Sequence, residues 1–74
     1  MTNAEDHFHI YNIRIRGHLD DHWGDWFGGV KVTPEEGGIT LLTCQVYDQA
    51  ALHGLLRRIR DLGLPLISVI FVDV

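Results

Sequence analysis

Residues 48–74 read DQAALHGLLRRIRDLGLPLISVIFVDV, a helix with marked ends running into an apolar strand. Asp48 suits an N-cap, because its carboxylate can accept the first orphan amide hydrogens and lies at the positive end of the helix dipole. Tyr47 and Leu52 hold the positions of a hydrophobic staple around that cap. Leu52, Leu55, Leu56, Ile59 and Leu62 recur at helical spacing as one apolar stripe. Arg57, Arg58 and Arg60 collect in the last turns, where positive charge suits the dipole. Gly63 can close the helix, with Leu64 folding back on Ile59, and Pro65 forbids continuation. Leu66–Val72 is then a β-branched and aromatic strand, apolar on both faces. Ile67, Val69 and Phe71 share the parity expected to face the helix. Leu66, Ile70 and Val72, around Ser68, need a second cover, which in so short a chain is expected from another copy.

The remaining segments supply a partner sheet. Met1–Asp6 reads as a polar, frayed start, and residues 1–7 are expected to be flexible. From Phe8 to Gly17 the pattern alternates, with His9, Tyr11, Ile13 and Ile15 on one face and Asn12, Arg14 and Arg16 on the other. Leu19, Trp23, Trp26 and Phe27 fall at helical spacing, with Asp20 and Asp21 near the start and Gly28-Gly29 as a stop. This predicts a helix of about two turns, weakened by Gly24, whose aromatics complete the core. Val30–Thr33, with Lys31 outward, the turn cluster Pro34–Gly38 and the strand Ile39–Val46 make a hairpin. The order β-α-β-β-α-β predicts a ferredoxin-like α+β domain. It is a four-stranded antiparallel sheet with a short first helix and a longer second helix on one face. Leu66–Val72 becomes an edge strand, which natural proteins seldom leave bare.

Composition narrows the function classes. The chain has 74 residues, one domain's worth, and 46% apolar content, enough for a core. The net charge of −4 disfavours nucleic acid and anionic membrane partners. One cysteine cannot form an internal disulfide, so a reducing, cytoplasmic setting is the expectation. The acidic N-terminus does not fit a signal peptide, and no apolar run reaches the roughly 18–20 residues of a membrane span.

The candidate chemistry is sparse. His18 and His22 are spaced i, i+4, and His7 and His9 lie one strand away, but a metal site needs three or four ligands and no Cys pair or HExxH is present. These two histidines are therefore weak metal candidates, and no cofactor is expected. Cys44 sits in a strand with no base placed beside it, so it reads as a small buried hydrophobe. Asp20, Asp21, Asp25, Glu35 and Glu36 read as solvated charges. Arg14 and Arg16 project from the outer sheet face, with Lys31 beside them, where an RNA-recognition sheet would carry stacking aromatics. An interface or anion contact suits these arginines better. Ala50 and Gly54 lie four apart on the helix face away from the leucine stripe, where a small-residue pair would let another backbone approach.

The blocks RGHLDDHWGDWF and DQAALHGLLRRIRDLGLPLISV resemble those of a group of small, functionally uncharacterised bacterial proteins. That resemblance implies no activity or site residues. At the level of topology alone the pattern is similar to ACT domains, although HLDDHWGDWF replaces their longer first helix and glycine-containing ligand turn.

The leading expectation is a non-catalytic protein–protein interaction module that forms a homodimer. It would use its open sheet face or the edge strand, with Arg14, Arg16, Leu66, Ser68, Ile70, Val72, Ala50 and Gly54 as interface residues. The alternative is a small-molecule-binding regulatory domain with a pocket at Trp23 and Trp26. A small metal-dependent enzyme built on His18 and His22 ranks third.

Overall fold

The computed structural model describes residues 8–72, so the start expected to be flexible, including His7, lies outside the described residues. Strand β1 (His9–Arg16) leads through a single helical turn, α1 (Trp23–Trp26), to the hairpin β2 (Lys31–Glu35) and β3 (Ile39–Val46). Helix α2 (Gln49–Leu62) and strand β4 (Leu66–Val72) follow. The strands form one antiparallel sheet in the order β2-β3-β1-β4, the ferredoxin-like arrangement. The register sets Ile13 opposite Leu42 and Ile15 opposite Thr40, so the inward parity of β1 meets that of β3. Those side chains form the core with Leu52, Leu55 and Ile59 of α2 and with Leu19 and Phe27 flanking α1.

Helix α2 ends where its sequence signals place it. Asp48 accepts the Ala51 amide at 2.8 Å, and Gly63 adopts φ 77°, a left-handed turn open to glycine at no steric cost. Tyr47 does not close a staple: it is exposed and meets Phe8 edge-on at 6.1 Å.

Strand β2 runs through Pro34 and Glu35, two residues beyond the expected end of the strand at Thr33. Proline is compatible with a strand whose outer edge has no partner to receive an amide hydrogen, and β2 is such an edge.

The first helix is one turn rather than two, because its approach is tied down. The buried Thr40 hydroxyl donates to the Gly17 carbonyl at 2.6 Å and accepts the Leu19 amide at 3.2 Å. These bonds hold the chain over the start of β3 until Asp20, so helical winding starts only afterwards. Leu19 and Phe27 reach the core, Trp23 is half-buried against it, and Trp26 stays exposed. The aromatics therefore divide between core and surface instead of all filling the interior.

Gly24 has a further role. Its carbonyl accepts both the Gly29 and Val30 amides, at 2.8 and 3.1 Å, and a Cβ there would lie 2.3 Å from the Val30 carbonyl oxygen. The residue that weakens helix propensity is the one that lets the loop close. Gly24→Ala is expected to cost about 2 kcal/mol or more, because backbone must move to admit the methyl. Urea unfolding of the variant beside wild type checks this.

Candidate functional site

Strand β4 is where the structure leaves the most unfinished. Helix α2 packs against β3 and α1 against β2. A helix is about 10 Å across and strands lie about 4.8 Å apart, so one helix roofs about two strands. β4 falls outside that roof. Ile67, Val69 and Phe71, the parity expected beneath the helix, remain 43%, 37% and 50% exposed, while Leu66 and Ile70 are 49% and 50% exposed. Its neighbour β1 is by contrast fully buried at Ile13 and Ile15. Val69 and Phe71 do take the helix-side parity, opposite Ile13 and Tyr11, but among the described residues α2 leaves them only partly covered. A register shift between Arg14 and Ile15 also sets Leu66 opposite Ile15. Directly opposed residues share a face, so Leu66 joins the helix side and not the open side with Ile70. Phe71 gains partial cover from the rings of His9 and Tyr11, each 5.5 Å away.

On the open face, Arg14 does not reach outward. Its guanidinium grips Glu35 across the sheet with two bonds, Nε to Oε1 at 2.9 Å and Nη2 to Oε2 at 3.3 Å. Glu35, read from sequence as a solvated turn charge, is in strand and partnered because β2 extends to it. Lys31 lies opposite Thr43 at the other end of β2, away from Arg14. Arg16 is exposed. Ser68 sits opposite Arg14, and its hydroxyl is shielded from water without a hydrogen-bond partner.

The two edges of the sheet differ in kind. Strand β2 carries Lys31, Pro34 and Glu35, the charges and proline that discourage strand addition. Strand β4 carries no charge and no proline from Leu66 to Val72.

A second feature lies on the other flank of α2. A cavity of about 290 Å³ opens between α2, the end of β3 and the loop after α1. Phe27, Val30 and Leu55 form its apolar wall, and Gln45, Gly54 and Arg58 complete it. Trp23 and Trp26 are not in its walls. Trp26 acts from behind: its carbonyl accepts Arg58 Nη1 at 2.6 Å, and the guanidinium carbon lies 5.6 Å from its ring centre. Gly54 faces this cavity, whereas Ala50 is exposed. Nothing in the sequence tied Gly54 to Phe27 and Gln45, since that meeting depends on how α2 crosses the sheet.

Among the described residues the histidines do not converge. His22 lies with Asp20 and Asp21 in one exposed turn, where its Nδ1 is 3.3 Å from Asp20 Oδ1, and His18 is not part of this group. Three exposed groups on adjacent residues are an ordinary polar turn. Cys44 is fully buried, and burial pushes its thiol pKa up to about 12, the opposite of an activated nucleophile. No helix among the described residues is long and apolar enough to cross a membrane.

A family model spans residues 10–70, from the first strand into the last. The chain belongs to the family described as Domain of unknown function (DUF8691). The matched span reaches into all six elements and covers the cavity and the edge strand as far as Ile70. No curated protein and no solved structure matches the chain.

Two outcomes follow from these environments. Because the folded state holds the Cys44 proton up to about pH 12 and the unfolded state releases it near pH 9, the thiol's contribution to stability is intact below pH 9. It is lost as pH rises from 9 toward 12, at up to about 1.4 kcal/mol per pH unit. Denaturation of wild type and Cys44→Ala across that range should show the excess slope only in wild type. A methyl at Gly54 would meet nothing within 4 Å, so Gly54→Ala should raise stability by about 0.5–1 kcal/mol in the same measurement.

Proposed function

We propose that the protein is a non-catalytic interaction module that self-associates by pairing β4 of one copy with β4 of another. The observation that carries this reading is a charge-free edge strand with exposed apolar side chains on both faces. An unpaired edge presents a row of backbone donors and acceptors, and a second strand satisfies them. A second copy is the occupant favoured on physical grounds, because antiparallel pairing about a two-fold axis matches each face of β4 with itself. Apolar meets apolar on both sides, and no like charges are brought together.

The area is of the right order. With roughly 200 Å² per large side chain, five that are about half exposed leave roughly 400–500 Å² open on each copy. Pairing two copies would bury on the order of 900 Å² from these side chains, and the strand backbones bring the total near the roughly 1,200 Å² where standard interfaces begin. The pairing would also bring two helical layers side by side and close the gap left over β4. Arg14 serves this reading by bracing the sheet through Glu35, and Arg16 remains available for polar contact at the rim. A reducing, cytoplasmic setting suits a chain whose single cysteine is buried and protonated.

Light scattering over a concentration series tests the reading, with Ile70→Lys on the open face and Phe71→Glu on the helix face. Edge pairing predicts a wild-type dimer that both substitutions dissociate. A dimer broken by Ile70→Lys alone would point to packing of open faces instead, and a wild-type monomer to near-millimolar concentration would refute self-association.

A further inference from the structure

We infer that the cavity beside Gly54 and Arg58 binds a small organic carboxylate with a short apolar body. The cavity lies at the end of β3, and β1 separates β3 from β4 in the sheet, so this inference stands apart from the edge pairing. Its walls carry one charge, that of Arg58, in a chain whose net charge is −4. Among the described residues no carboxylate lies within ion-pair distance of Arg58, as of Arg16 and Arg57, whereas Arg14 and Arg60 each have one. Yet the guanidinium is already positioned. The 2.6 Å bond to the Trp26 carbonyl and the Trp26 ring 5.6 Å away fix its place and leave its other N–H groups to donate. A pinned arginine with donors to spare, at the rim of an otherwise uncharged cavity, is arranged for an anion.

The choice of anion follows from the loop. Gly28, Gly29 and Val30 could have offered a cluster of amides to a phosphate, but all three are engaged. They donate to the carbonyls of Asp25 and, for the last two, Gly24, at 3.0, 2.8 and 3.1 Å. Recognition therefore rests on one planar guanidinium, which matches a carboxylate through two parallel bonds and leaves a phosphate underserved. Phe27, Val30 and Leu55 supply an apolar patch in a wall whose larger exposed share is polar, to which Gln45 adds an uncharged group. At about 30 Å³ per water-sized volume, 290 Å³ holds roughly ten non-hydrogen atoms, which fits a monocarboxylate with a short alkyl or phenyl body. Gly54 fits the same picture. A Cβ there would touch nothing in this chain, so the missing side chain serves space rather than packing.

Heteronuclear NMR titration with hexanoate and phenylacetate tests the inference, with hexanol, benzyl alcohol and inorganic phosphate as comparison probes. Saturable shifts confined to Gly28, Gly29, Ala51, Gly54 and the Arg58 side chain are expected with the two carboxylates. Arg58→Gln should weaken binding about tenfold or more. Gly54→Leu, which fills the cavity and restores a good helix former, should abolish binding while the spectrum stays folded. No saturable shift at millimolar carboxylate, equal binding of the alcohols or of phosphate, or unchanged affinity in Arg58→Gln would each overturn it. Running the series on Ile70→Lys separates this outcome from the oligomeric state, because a carboxylate site within one copy should bind equally in either form.

Discussion

A helix spans about two strands, and this sheet has four. That mismatch of widths governs the rest of the molecule. With α1 cut to one turn and α2 seated over β3, the roof covers Ile13, Ile15, Leu42 and Cys44 completely and stops short of β4. The sequence nonetheless fills β4 with Leu, Ile, Val and Phe on both faces. A chain of this size buries a modest fraction of its unfolded surface, so apolar area left open on one strand is a sizeable share of what burial could contribute. A second copy is the simplest way to use it.

The shortness of α1 is itself a consequence of local bonding. Thr40 holds Gly17 and Leu19 against the start of β3, and Gly24 gathers the amides of the loop that follows. Between them they shorten the helix, place Leu19 and Phe27 in the core, and leave Trp26 on the surface, where it positions Arg58. The bare edge and the cavity thus share an origin. A full first helix would have changed the roof over the sheet and the rim of the cavity together.

Much of this architecture was legible in the residues. Periodicity located all six elements, and Asp48 and Gly63 marked the ends of α2 because capping depends on neighbours in sequence. The inward and outward parities of β1 followed from alternation. What escaped were features set by distant partners. The Thr40 hydroxyl that shortens α1 lies 21 residues from Leu19. Glu35 is in strand because β2 pairs with Ile39–Thr40 and because Arg14 lies within its reach. The shift that turns Leu66 toward the helix side is a property of pairing with β1, invisible to a parity count along β4. The cavity was least legible, since Phe27, Gln45 and the pair Gly54 and Arg58 come from three separate segments.

The central claim is that the free edge of β4 is completed by another copy, and amide hydrogen exchange at residues 66–72 reads it most directly. In an antiparallel ladder, alternate amides of β4 point away from β1 and have no partner strand among the described residues. Edge pairing predicts that these amides are protected at millimolar protein and become freely exchanging at low micromolar protein, while the amides directed at β1 change little. Outward amides that exchange freely at every concentration would contradict the account.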